Sequence, residues 1–265
     1  MDFPNYSTLK TEMAEVHVLV VTINRPEVAN AINTQMGRDF LDLWTRLTED
    51  VGDVRCVVLT GAGEKAFCAG GDLKERKGMT REQWVRQHEL IERQYWTLVD
   101  LFVPVIAAVN GHAYGGGFET VLSCDFAYAA KTARFALTEV TLGIMPGAGG
   151  TQNLPRAVGE RRAKEIIMTG RPFSAQQAYE WGLLNEICDP HDLMPRVFET
   201  ARAIASNAPL SIRQVKKSVR FGMQMELKTA YRFEIEAYNH LVETEDRYEG
   251  VNAFNEKRKP LFKGR

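Results

Sequence analysis

Two glutamates in glycine-rich surroundings, Glu119 and Glu139, carry the most chemical information in the sequence. Glu119 closes the run NGHAYGGGFE (110–119). Glu139 follows Leu137-Thr138 and precedes GIMPGAGGT (143–151). Glycines at the start of a helix leave backbone N–H groups free and add the positive end of the helix dipole, which suits an anion or a developing oxyanion. A third segment, FCAGGDL (67–73), has two adjacent glycines that permit unusual dihedrals and close approach of a ligand. Taken singly, these segments also fit an ordinary strand-to-helix turn, close helix–sheet packing and a structural salt bridge or cap. Together, two free-amide turns and two carboxylates describe a site for thioester chemistry. Amides would hold a carbonyl oxygen as it becomes negative, and carboxylates in unlike environments would serve as acid and base. Phosphate-loop patterns do not fit 110–119, which has neither GK[ST] nor GxGxxG.

These residues need elements to position them. Residues 16–24 (VHVLVVTIN) are apolar and β-branched up to Arg25-Pro26 and read as a buried strand. Met36, Phe40, Leu43, Trp44 and Leu47 recur at helical spacing over 34–50, with Asn33 as N-cap. A strand at 56–61 precedes the turn-rich GAGEKAFCAGGDLKE. A polar, charged helix fits 81–101, a strand fits 105–111, and the glycine cluster leads into a short helix ending near Cys124. Short strands follow at 125–130 and 134–137. Such alternation predicts an α/β fold with parallel strands and right-handed crossovers. The second half is mainly helical, at 159–169, 174–181, 192–206, 209–221 and 226–244, with one strand at 183–188. Helices that cannot bury a face on their own sheet often pack on a partner subunit.

Composition narrows the classes. With 265 residues and 45% hydrophobic residues, the chain can bury a substantial core without disulfides or metals. A net charge of −1 with interspersed signs gives no pull toward nucleic acid. Cys56, Cys68, Cys124 and Cys188 form no CxxC pair and read as buried reduced thiols, and the five histidines show no metal-ligand spacing, so no metal is expected. No dinucleotide fingerprint follows the first strand. The N-terminus resembles neither a signal nor a transit peptide, and no apolar run is long enough to span a membrane. A cytoplasmic protein without membrane contact is the expectation.

The chain resembles the enoyl-CoA hydratase/isomerase (crotonase) family over nearly its whole length. The matching segments run in order: NRPEVANAI (24–32), FCAGGDLKE (67–75), NGHAYGGGFE (110–119), Glu139 with LGIMPGAGGTQNLPR (142–156), GRPFSAQQAYEWGLLNEI (170–187) and the tail FNEKRKPLF. The resemblance implies a spiral of ββα units on two roughly perpendicular sheets, with core and active site in residues 1–200. Residues 201–265 would form a helical oligomerisation region of a homotrimer or a homohexamer. It implies a coenzyme A thioester as substrate, fatty acid metabolism as setting and no separate cofactor. It places the oxyanion-hole amides at Gly71 and Gly116, the acid–base pair at Glu119 and Glu139, and a water-orienting amide at Gly147. The adenine pocket would lie around Ala69 and Leu73, with Lys74 toward the CoA phosphates. Phe262 and Lys263 would reach the CoA of the same or a neighbouring subunit. Glu27 stands where the family often has a lysine, which removes one phosphate contact. Hydration of a trans-2-enoyl-CoA is the expected reaction. Isomerisation or decarboxylation of an acyl-CoA is the alternative, and a non-catalytic CoA- or RNA-binding homologue is a further one; the basic cluster for RNA would be Arg161, Arg162 and Lys164. The acyl-tail contacts are expected within 76–100.

Overall fold

The computed structural model describes residues 3–265. The chain begins with strands β1 (Leu9–Glu15) and β2 (Val18–Ile23), followed by helix α1 (Thr34–Glu49). The Asn33 side chain accepts the Met36 N–H at 2.9 Å and caps that helix, as its position before the periodic run predicts. Next come β3 (Cys56–Gly61), β4 (Ala66–Cys68), α2 (Leu73–Arg76), α3 (Arg81–Val99), β5 (Val105–Val109), β6 (His112–Tyr114) and α4 (Gly116–Ser123). The order continues with β7 (Phe126–Ala130), β8 (Arg134–Ala136), α5 (Gly150–Val158), α6 (Glu160–Thr169), β9 (Phe173–Ser174), α7 (Ala175–Glu180) and β10 (Glu186–Cys188). Four helices end the chain: α8 (Leu193–Ala205), α9 (Pro209–Gly222), α10 (Leu227–Asn239) and α11 (Glu245–Asn255).

Two sheets result. The larger has the order β1-β2-β3-β5-β7-β10 and the smaller β4-β6-β8-β9. Three successive strand pairs, β3/β4, β5/β6 and β7/β8, each send one strand to the large sheet and the next to the small one before a helix follows. This is the spiral of ββα units. From β2 to β10 the large sheet is parallel, and β1 joins antiparallel at its edge.

The period-2 pattern of the strands divides the core. Val18 and Val20 of β2, Cys56 and Val58 of β3, and Ile106 and Ala108 of β5 face α8 through Leu193, Val197 and Ala201. The alternate residues, such as Leu19, Val57, Leu59 and Val109, face α1, α3 and the small sheet. Parallel strands covered on both faces read as continuous apolar runs, which is why β2, β3 and β5 are legible in the sequence. Helix α8 spans the expected boundary at 200 and packs on the large sheet. Burial pushes the thiols of Cys56 and Cys68 up to about 12, in keeping with inert, buried cysteines.

Several elements differ from the sequence reading. β1 is a mostly exposed edge strand, LKTEMAE, without apolar alternation. β4 and β6 have three residues each, inside segments whose glycines and polar residues read as turns. α5 opens on Gly150 and contains Pro155, two signals that argue against a helix. The helix expected over 226–244 ends at Asn239, and a turn separates it from α11. No helix among the described residues is long and apolar enough to cross a membrane.

Candidate active site

A cavity of about 410 Å³ opens where the first turn of α4, the β4–α2 loop, the turn after β8 and the inner face of α3 meet. It is lined by Ala69, Gly71, Leu73, Gly116, Glu119, Glu139 and Gly147, so seven of the ten sequence-derived site residues share one space.

Each arrives there for a local reason. The β4–α2 loop is pinned to residues 29–32. Ala69 N–H donates to the Ala29 carbonyl, Ile32 N–H to that of Gly70, and Asp72 N–H to that of Ile32, at 3.0, 2.7 and 2.8 Å. Asp72 caps α2 by accepting from the N–H groups of Lys74 and Glu75 and pairs with Arg25 at 3.1 Å. Gly70 has φ +90°, and a Cβ there would lie 3.3 Å from the Gly116 nitrogen, so the Gly70–Gly71 and Gly115–Gly116 turns abut. Gly117 must be a glycine, because a Cβ would come within 2.1 Å of the Cys68 carbonyl oxygen on β4. That contact seats α4 directly on the small sheet, with Gly115 and Gly116 at its start lining the cavity.

Glu119, on the first turn of α4, is 3% exposed. Its Oε1 accepts two backbone bonds at 2.8 Å, from Ala148 and Gly150 of the glycine-rich turn that starts α5. Burial nevertheless raises its pKa above 4.5, with the Gly150 and Ala148 amides opposing. Glu139 heads the 3-10 turn Glu139–Leu142 after β8 and is 8% exposed. Its Oε2 has no hydrogen-bond partner among the described residues. Burial pushes its pKa up to about 7, and the charge of Glu119 adds to the rise. The two carboxyls therefore differ as an acid–base pair requires: one is fixed by two amides, and the other is free to carry a proton near neutrality.

The helix α3 supplies residues that the sequence analysis did not single out. Tyr95 is buried, donates to the Gly116 carbonyl and shares a 2.9 Å hydrogen bond with Thr120 Oγ1, which fixes the first turn of α4. His88 packs against Gly147, whose Cβ, if present, would meet the ring at 2.8 Å. Trp84 and Ile91 complete that wall, and Arg76 of α2 stands beside it. The segment 76–100, where the acyl-tail contacts are expected, lines the cavity with Arg76, Trp84, His88, Ile91 and Tyr95.

Three site residues lie elsewhere. Lys74 is exposed on α2, outside the cavity lining. Phe262 and Lys263 lie against α11 rather than at the cavity. The Phe262 ring packs over Gly250 and its carbonyl accepts from Arg55 at 2.8 Å, while the Lys263 N–H donates to Asp246 at 2.6 Å. The basic cluster of α6 is engaged locally, Lys164 with Glu160 and Arg162 over the Trp181 ring at 4.7 Å.

The family model for enoyl-CoA hydratase/isomerase matches residues 13–265, and the chain belongs to that enzyme family. Its fold superposes on the crystal structure of an enoyl-CoA hydratase from Bacillus anthracis with a TM-score of 0.95 and 45% identity, covering 98% of this chain and 100% of the other. The short-chain-enoyl-CoA hydratase of Clostridium acetobutylicum is 43% identical, over 92% of this chain and 94% of its own. The crotonyl-CoA hydratase of Syntrophomonas wolfei is 38% identical over 94% and 95%. By name these relatives are hydro-lyases.

Proposed function

We propose that this chain catalyses the reversible addition of water to a trans-2-enoyl-CoA, giving a 3-hydroxyacyl-CoA. The observation that supports this most is the pairing of Glu119 and Glu139 across one cavity in unlike surroundings. Ionised Glu119, oriented by the Ala148 and Gly150 amides, takes a proton from water as its oxygen adds to the β-carbon. Protonated Glu139 delivers a proton to the α-carbon. Between these events, negative charge gathers on the thioester oxygen. The amides of Gly71 and Gly116 hold it, each donor contributing about 3–4 kcal/mol to the barrier reduction. The reverse reaction exchanges the two roles. The Gly147 amide, on the same turn as Ala148, orients the water.

In this reading coenzyme A is part of the substrate, and no separate cofactor takes part. Its adenine side follows Ala69 and Leu73 at the cavity, with Lys74 on the exposed face of α2 toward the phosphates. Helices α9 and α10 leave Val215, Val219, Tyr231, Ile235 and Tyr238 exposed, an apolar face of the kind that closed trimers bury. We assign the region from α9 onward to assembly of a homotrimer, or two such trimers as a hexamer, which would bring Phe262 and Lys263 near a neighbour's substrate.

The test is a panel of enoyl-CoA thioesters, followed by loss of the conjugated enoyl absorbance. Glu119→Gln and Glu139→Gln are each expected to lower kcat by at least roughly 100-fold with KM little changed. Near wild-type hydration by either variant would remove that glutamate from the mechanism. Glutamate-dependent turnover of another acyl-CoA, with no enoyl-CoA hydrated, would replace hydration as the reaction.

A further inference from the structure

The cavity holds a guanidinium for which acid–base catalysis by two glutamates has no use. Arg76, the last residue of α2, lines the cavity beside the β4–α2 loop. Its Nε donates to Gln87 Oε1 at 2.9 Å, and its guanidinium carbon sits 4.7 Å from the centroid of Trp84. A Cβ on Gly71 would meet that guanidinium at 3.0 Å, which places it next to the turn that receives the thioester oxygen. The Gln87 amide is itself tied to Thr34 and Glu75 at 2.8 and 2.7 Å, so the Arg76 head is held from behind. Yet Arg76 forms no ion pair with any carboxylate among the described residues, and its terminal nitrogens donate to no described partner. Burial lowers its pKa, with the nearby charges of Glu75 and Glu139 opposing.

A half-buried, braced guanidinium with no carboxylate in direct ion-pair contact is costly to maintain, and its planar fork matches a carboxylate. Ile91, Leu142, Ile144 and Met145 make the neighbouring lining apolar, and Arg76 is the one arginine or lysine in it. Resting on the hydratase reading above, we propose that the substrate is a short enoyl-CoA whose acyl group ends in a carboxylate, and that Arg76 binds that carboxylate and sets the specificity. Trp84 and Gln87 position the guanidinium. The acyl chain is short because it must run from the Gly71 amide to an arginine that packs beside the same glycine.

Two readouts separate this from the reaction itself. In binding, isothermal titration compares glutaryl-CoA with butyryl-CoA, saturated thioesters that need no turnover. Wild type is expected to bind glutaryl-CoA at least roughly 30-fold more tightly, and Arg76→Met to lose that preference. In turnover, the ratio of kcat/KM for glutaconyl-CoA to that for crotonyl-CoA is expected to fall by at least roughly 30-fold in Arg76→Met, with Arg76→Lys between. Equal affinity of wild type for the two saturated thioesters would overturn the proposal. So would an Arg76→Met variant that loses both enoyl substrates in equal proportion, since Arg76 would then be serving the thioester oxygen. Absence of all hydration with the glutaryl preference intact would sink the hydratase reading and leave the carboxylate site standing.

Discussion

Replacing Glu139 by glutamine should stabilise the protein at alkaline pH while it removes activity. The carboxyl is 8% exposed, with one oxygen unpartnered, and its pKa rises from 4.5 to about 7. Below pH 4.5 the group is protonated in both the folded and the unfolded chain and has no pH-dependent effect. Between 4.5 and 7 the unfolded chain releases the proton and the folded protein keeps it, so stability is lost as pH rises through this window. Above 7 the loss is complete. At about 1.36 kcal/mol per pH unit it amounts to about 3 kcal/mol at pH 8, against about 0.8 kcal/mol at pH 5. Glutamine has the same shape and no charge, so it escapes the loss. Thermal unfolding at one fixed protein concentration, chosen because association also moves Tm, reads the difference. Glu139→Gln should melt on the order of 6–10 °C above wild type at pH 8 and only a few degrees above it at pH 5. A gap between variant and wild type that does not widen with pH would refute the argument, because Glu139 would then not be a proton-holding, poorly solvated carboxyl.

The same rise in pKa predicts that kcat/KM for hydration falls as pH climbs through about 7, where Glu139 loses the proton it must deliver; a profile flat from pH 6 to 9 would contradict it. Gly150→Ala would place a Cβ 2.9 Å from Glu119 Oε1 and from Pro146 Cβ, prising the carboxylate off its two amides. Steady-state kinetics should show kcat reduced by on the order of 100-fold, and an unchanged kcat would mean that those amides do not position the base. Tyr231 and Ile235 are 59% and 56% exposed on α10, so the double change Tyr231→Asp, Ile235→Asp should convert an oligomer to monomers by light scattering. Wild type already monomeric at micromolar concentration would dispose of the assembly expected here.

How much of this was legible in the sequence depends on the kind of signal each part leaves. Strands β2, β3 and β5 lie inside a parallel sheet covered on both faces, so they appear as unbroken apolar runs. The glycine segments were legible for a different reason: backbones that approach as closely as Gly117 and Cys68 do admit no other residue. The short strands β4 and β6 were hidden by that same requirement, since a three-residue strand within a glycine-rich turn has no periodicity to detect. In the tail, the Phe262 carbonyl accepts from Arg55 and the Lys263 N–H donates to Asp246, contacts between distant segments that leave no trace in the sequence.

The wall formed by α3 shows where pattern reading stops. Its inward residues, Gln87, Ile91, Gln94, Tyr95 and Leu98, keep helical spacing, so the helix itself was readable. Three of the five are polar, which makes the stripe look like a solvated face rather than one turned inward. Gln87 and Tyr95 face inward because they have partners that only the fold provides: Thr34, Glu75 and Arg76 for Gln87, and Gly116 and Thr120 for Tyr95. Arg76 belongs to the same class. In the sequence it is one charge in LKERK, indistinguishable from Lys74 two residues before it. In the fold Lys74 faces solvent, whereas Arg76 is braced against Trp84 and Gln87 inside the cavity. The glutamates proposed to move protons were visible because glycines mark them. The residue inferred to choose the substrate was not, because what distinguishes it is the lack of a direct ion pair, and that is a property of the folded cavity alone.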